Sequence, residues 1–332
     1  MTAAWKIMAG EGGRYIDNFL ETSRVAVALD EATDFCSCRS KEEIASLVRE
    51  RLPLLTNRQV SVAASQHWRF LSEVQVGDVV LVYASQTRLY HQGVVASSAE
   101  FTPECVPQLP VTRQVAWHGT VERDRLSQSA KNSLGAILTI FKVPEQVVQE
   151  IRRFSQSPEG AAHDLSASPV DDAVEPDPFA GIEQLALDRI TDRISALSWD
   201  EMQELVASLL RALGYRTVIS PDGPDRGKDI VASRDGFGFE RPRIVVEVKH
   251  RRGQMGAQEI RSFLGGRHAD DRGLYVSTGG FSREARYEAE RAATVTHLMT
   301  LEELARAIVE QYDRLDQQGK RLVPLTKLYW PA

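Results

Sequence analysis

Asp229-Ile-Val-Ala-Ser233, then RDGFGFERP (234–242), then Arg243-Ile-Val-Val-Glu-Val-Lys249 is the stretch that decides how the C-terminal half of this 332-residue chain folds. Two short runs rich in Val and Ile flank a segment carrying Gly236, Gly238 and Pro242, the pattern of a β-hairpin. Side chains alternate faces along a strand, so Glu247 and Lys249 share one face and Val246 and Val248 take the other. A turn centred on Gly238 sets Asp229 opposite Glu247, and cross-strand partners point to the same side. The hairpin therefore gathers two carboxylates and one ammonium in one patch.

Two carboxylates this close repel, and one of them holds its proton to a higher pH unless a cation sits between them. Mg²⁺, with Mn²⁺ as a substitute, suits such a pair, because it takes one or two carboxylates and keeps several waters. A metal there can polarise a phosphodiester and lower the pKa of a bound water. Lys249 is placed to orient that water or to offset transition-state charge. The patch is thus a candidate centre for phosphodiester hydrolysis, with Asp229 and Glu247 as metal ligands. Glu-x-Lys alone is common on solvated strand faces; the added Asp at the hairpin position makes it more informative, and the surrounding sequence pattern most of all. His250 falls on the opposite face from Lys249. GPDRGKD (223–229) has too few residues between its glycines for a phosphate-binding loop and lacks its Ser/Thr.

Outward from the hairpin, apolar periodicity predicts a helical stretch from Leu185 to Leu213, broken near Ser198, where Ser198 and Glu201 restart a helix striped by Met202, Leu205, Val206, Leu209 and Leu210. Strands follow at YRTVIS (215–220), DIVAS (229–233) and RIVVEVK (243–249). Then come a helix from Ala257 to Gly265, a strand at GLYVST (273–278), a helix from Ser282 to Ala292, a strand at THLM (296–299) and a helix from Leu301. The order αβββαβαβα predicts an α/β or α+β sandwich, taken as α/β with a mixed sheet. Residues 199–281 resemble the Mrr-like restriction endonuclease family of the PD-(D/E)xK nuclease fold, through WDEMQELVASLLRALGYRTV (199–218), PDGPDRGKDI (221–230), IVVEVKHRRGQMGAQEIRSFLG (244–265) and GLYVSTGGFSREA (273–285). The closing LVPLTKLYWPA (322–332) is similar to the tail of such proteins. The resemblance implies a type II/IV-like restriction endodeoxyribonuclease in which Asp229 and Glu247 bind the metal, Lys249 assists the attacking water and Gln258 lies near the site. It also implies a helix glutamate where this chain has Gln203, with Glu201 and Glu204 nearby. Arg251 and Arg252 follow the strand and are candidates for gripping DNA phosphates.

Charge marks the division of the chain. The formal net charge is -6, and the whole acidic excess falls in residues 155–182, which hold six acidic and no basic residues together with Pro158, Pro169, Pro176 and Pro178. This segment reads as a self-repelling linker between a domain at 1–154 and a domain at 183–332. Both flanking parts are neutral and can carry local basic patches. VAVALD (25–30), GDVVLVYAS (77–85), LYHQGVVAS (89–97) and RQVAWHG (113–119) predict short strands, and SKEEIASLVRERL (40–52) a helix capped by Ser40 and Glu43, which together suggest a small β-barrel with helices.

Gly10-Glu11-Gly12-Gly13, HWRF (67–70), VGDVVLVY (76–83), GVV (93–95) and RQVAW (113–117) resemble PUA-like domains, including the EVE type. That resemblance implies a pocket for a flipped, modified base, with Trp5, Trp68, Tyr83 and Trp117 as its candidate aromatic faces. The expected function is modification-dependent restriction of foreign DNA, an antiviral defence, acting on double-stranded DNA that carries modified cytosine. Double-strand cutting needs two active sites, so a homodimer or a transient dimer on DNA is expected. Two alternatives stand beside it: a defence nuclease gated by a nucleotide signal, and a non-catalytic DNA-binding or repair accessory protein. Three cysteines, Cys36, Cys38 and Cys105, are too few for a disulfide framework or a zinc site. With no secretory pattern at MTAAWKIMAGEGG and no long apolar run, a cytoplasmic protein without a membrane span is expected.

Overall fold

A computed structural model describes residues 2–135, 138–156, 182–220, 229–236, 239–251, 253–265, 267–268 and 270–327. The expected acidic linker (residues 157–181 of it), the turn centre Gly238, most of GPDRGKD, Arg252 and the end of the tail from 328 lie outside the described residues. The chain divides into two compact units, Met1–Leu185 and Ala186–Ala332.

The first unit runs β1 (Ala4–Ile7), α1 (Ile16–Glu21), β2 (Arg24–Val27), α2 (Lys41–Arg51), α3 (Asn57–Trp68), β3 (Val79–Ala84), β4 (Leu89–Val95), β5 (Glu100–Phe101), β6 (Val111–Glu122), α4 (Gln128–Leu134), β7 (Ile140–Lys142) and α5 (Glu145–Gln156). Its sheet has the order β2-β6-β4-β3-β1-β7, with β5 also on β6. β1 and β3 run parallel, and the other pairs are antiparallel. Alternation sends Trp5, Ile7, Val80 and Val82 into one apolar cluster and Ala4, Leu81, Tyr90 and Phe141 into another. The expected barrel is corrected to a half-barrel. Closure would need β2 to meet β7, and among the described residues β2 pairs only β6 while β7 pairs only β1. The four strands read from the sequence correspond to β2, β3, β4 and β6. Ser40 caps α2 through Glu43 N–H at 3.2 Å, but the Glu43 carboxylate accepts from Arg39 N–H rather than from Ser40.

The chain continues as α6 (Ile182–Ser195), α7 (Trp199–Ala212), β8 (Arg216–Ile219), β9 (Ile230–Ser233), β10 (Ile244–Lys249), α8 (Ala257–Leu264), β11 (Arg272–Ser277), α9 (Arg283–Glu290), β12 (Thr296–Thr300), α10 (Leu301–Glu310) and α11 (Gln317–Leu322). Ser198 and Glu201 form a reciprocal capping box at the start of α7, the second orphan donor being satisfied by Glu201 Oε2 at 2.8 Å. The sheet order is β12-β11-β10-β9-β8, antiparallel from β8 to β10 and parallel from β10 to β12, so it is mixed. Ile230, Ala232, Val246, Val248, Leu274 and Val276 pack into the cluster that holds α7 and α10. On the other face, Tyr275 packs with Met255, Ile260, Phe263, Phe281 and Ala285 from α8, α9 and the segments leading into them. α11, which sequence periodicity did not reveal, docks on α7 through Asp316, which accepts from Ser208 Oγ at 2.9 Å and Arg211 Nε at 2.7 Å. Gly319 permits this approach, since a Cβ there would lie 2.1 Å from Ser208 Oγ. Among the described residues no helix is long and apolar enough to cross a membrane.

Candidate active site

β9 and β10 pair with Ile230 opposite Val246 and Val231 opposite Val245, the register of a turn centred on 238. One residue beyond the last pair, Asp229 departs from the regular ladder. Its N–H donates to Val246 O at 2.9 Å, and its Oδ2 accepts the N–H of Val248 at 2.6 Å. A carboxylate thus takes a main-chain donor that the strand partner would otherwise satisfy, which locks Asp229 onto the stretch bearing Glu247 and Lys249. Asp229 and Glu247 are buried, at 5% and 8% exposure. Lys249 Nζ lies 2.7 Å from Glu247 Oε1. Burial pushes the Glu247 carboxyl above its ordinary range; the Lys249 hydrogen bond and charge pull against that, and the charge of Asp229 adds to it.

The end of β10 is held by the turn after β11. Thr278 N–H donates to Lys249 O at 3.1 Å, and Thr278 Oγ1 to Arg251 O at 3.3 Å. Met255 N–H donates to Gly280 O at 2.9 Å, and Ser282 N–H returns to Met255 O at 3.0 Å. Gly279 makes the contact possible: a Cβ there would stand 2.0 Å from Gly253 O. Gly279 in STGGFS (277–282) is therefore a packing requirement that supports Lys249.

The other expected residues are placed as follows. Gln258 is exposed in the first turn of α8, while its neighbour Glu259 receives Gly256 N–H at 3.2 Å and pairs with Arg251 at 3.0 Å. Arg251 is half-exposed and tied to that glutamate. Gln203 is buried at 3% exposure, and among the described residues its amide nitrogen has no hydrogen-bond partner. His250 points away from the patch, with Nε2 2.7 Å from Leu197 O. Two residues went unnoticed in the sequence. Tyr275 and Ser277 on β11 stand directly beside Glu247 and Lys249 in the parallel register. Their spacing of two copies that of Glu247 and Lys249, yet the register across a helical crossover is not written in either strand.

Of the four aromatic residues of the first unit, Trp5, Trp68 and Trp117 share one apolar cluster and Tyr83 lies on another. Trp5 is buried and donates from Nε1 to Asp78 Oδ2 at 2.9 Å. Trp68 and Trp117 pack partly exposed against the same cluster as Trp5, and Trp117 Nε1 donates to Phe19 O at 3.2 Å. Tyr83 belongs to the other cluster, with its ring centroid 4.7 Å from that of Tyr90. The cysteines are free, and burial pushes the Cys36 thiol up to about 12.

Among the described residues no group of three or more His, Cys, Asp or Glu side chains could hold a metal ion. Asp229 and Glu247 are nonetheless the donor set a hard, mostly hydrated cation takes: two buried oxygen ligands whose mutual repulsion an ion would relieve.

Residues 194–308 match the family model Mrr_cat, described as a restriction endonuclease. Residues 5–143 match a domain of unknown function, DUF8426. A curated relative, the uncharacterized protein y4cE of Sinorhizobium fredii, is 29% identical over 98 residues, which are 28% of this chain. The chain spans about a quarter of that relative's length, 25%. Among solved structures, the chain is similar to the MspJI restriction endonuclease in complex with a 27-mer oligonucleotide, at 14% identity and a TM-score of 0.31, over 79% of this chain and 67% of that one. It is also similar to the DNA modification-dependent restriction endonuclease AspBHI, at 14% identity and a TM-score of 0.32, over 81% of this chain and 74% of that one.

Proposed function

We propose that this chain, whose residues 194–308 are a restriction endonuclease domain, is a Mg²⁺-dependent DNA endonuclease that cuts DNA carrying a modified base. The observation that carries the proposal is the convergence of Asp229, Glu247 and Lys249 at one end of the β9–β10 pair, two buried carboxylates with an ammonium 2.7 Å from one of them. Asp229 and Glu247 would hold the ion, which when bound supplies Lewis-acid polarisation of the phosphodiester and a more acidic water. Lys249 sits where its charge can orient the attacking water and offset the charge that grows on the phosphoryl oxygens. Asp229 is kept in place by Val248 N–H, so its ligand geometry is set before substrate arrives. Arg251, at the mouth of the same strand end, is a phosphate contact once it leaves Glu259. For the first unit we favour Trp68 and Trp117 as base-stacking faces, because both are partly exposed on one cluster, whereas Trp5 is spent in the core and Tyr83 lies on the other side.

The test is cleavage of matched duplexes with and without cytosine modification, in Mg²⁺ and in EDTA. Cutting of the modified duplex in Mg²⁺ alone is expected. Cutting undiminished by EDTA would remove the metal, and equal cutting of both duplexes would remove the base reading while leaving the nuclease.

A further inference from the structure

We propose that Tyr275 and Ser277 are positioning residues of this site, buried hydroxyls that hold water in the carboxylate patch when an ion is bound and so fix Glu247 and Lys249. The proposal rests on the nuclease reading above and adds two residues to it. Both side chains lie on the face of β11 that carries the patch, Tyr275 beside Glu247 and Ser277 beside Lys249. Both are fully buried, at 0% exposure, and among the described residues neither hydroxyl has a hydrogen-bond partner. Folded proteins rarely leave buried hydroxyls unmet, and two such groups in register with the two functional residues of the neighbouring strand call for a cause. A core role would be served as well by Phe and Ala.

The surroundings say what the hydroxyls face. The Tyr275 ring is held edge-on by Phe263 at 5.2 Å and Phe281 at 5.9 Å, so the hydroxyl cannot swing out to solvent. Its phenol is a donor next to a carboxylate whose Oε1 already faces Lys249. Ser277 is the last residue of β11, and the next residue, Thr278, binds the Lys249 carbonyl. Ser277 can both donate and accept, which suits a water lying between it and the lysine. Neither hydroxyl reaches the surface, so neither touches DNA; they act through Glu247 and Lys249, as supporting groups behind metal ligands do.

Tyr275→Phe and Ser277→Ala in the full chain test this with two readouts. Thermal melting without metal is expected to match or exceed the wild type, since each change removes an unmet polar group and little packing. Calorimetric titration with Mg²⁺, alone and then with a short DNA duplex, is expected to show affinity lowered roughly tenfold. The Mg²⁺ concentration needed for half-maximal cutting should rise in parallel. Wild-type Mg²⁺ affinity in both variants would overturn the proposal. So would a Tyr275→Phe protein that melts lower than the wild type or fails to fold, because the hydroxyl would then have a structural partner. A wild-type protein that neither takes up Mg²⁺ nor cuts defeats the nuclease reading itself, and that result is in hand before any variant is made.

Discussion

Asp229, Glu247 and Lys249 are the residues proposed to carry the chemistry, and substitution tests the proposal. Asp229→Ala and Lys249→Ala should lower cutting by about 10²-fold or more, the scale of losing one preorganised charge in an active site. Circular dichroism of both should match the wild type; full activity in either would end the assignment. Lys249→Ala also removes the cation that opposes burial at Glu247, so the Glu247 carboxyl should titrate still higher, as read by carboxyl-carbon NMR. Asp271 shows the opposite balance. Burial alone would raise its carboxyl, but hydrogen bonds from Arg243 and from His268 N–H, with the charges of Arg243 and Arg241, outweigh that and hold it below the ordinary range. Its side chain is fully buried, with Arg243 Nε at 2.7 Å and Arg241 Nη1 at 3.2 Å. A carboxyl lowered by folding contributes stability above its unfolded pKa and loses it as pH falls through the folded value. Asp271→Asn should therefore cost roughly 2 kcal/mol at neutral pH. Urea unfolding of variant and wild type should converge in acid, and a gap that persists there would show that charge is not the cause.

Among the elements, the turn between β11 and α9 and the start of α7 matter most. Gly279 is pressed against Gly253, so Gly279→Ala must push apart the turn that holds the Lys249 carbonyl. A loss of about 1–3 kcal/mol in chemical denaturation is expected, as for overpacking, together with a drop in cutting. Unchanged values of both would mean that the turn yields freely. Ser198→Ala breaks the α7 capping box and should cost about 1 kcal/mol with cutting retained, because the cap supports the helix rather than the patch. The elements were legible where one physical signal dominated. Ser198 and Glu201 announced the α7 start, and Val/Ile runs announced β9 and β10. β1, β7 and α11 were missed because strands of four and three residues and a helix of six carry little periodicity, and their places are set by partners far away in sequence.

For the whole molecule, the division of labour between the two units is the prediction at stake. Lys249→Ala protein should still bind modified duplex in preference to unmodified duplex in a gel shift, while its cutting is lost. Loss of preference together with cutting would place both tasks in one unit. By itself the sequence determined the order of the C-terminal elements and the hairpin register about residue 238, because alternation and turn chemistry act over a few residues. Tertiary structure decided what depends on distant partners. It opened the expected barrel into a half-barrel, since among the described residues β2 and β7 do not pair. It separated Tyr83 from Trp5, Trp68 and Trp117, since faces follow from sheet neighbours and a bulge between β4 and β6. It also set Tyr275 and Ser277 beside Glu247 and Lys249. A parallel register is fixed by the crossover helix and the packing beneath it, and neither strand encodes that alone.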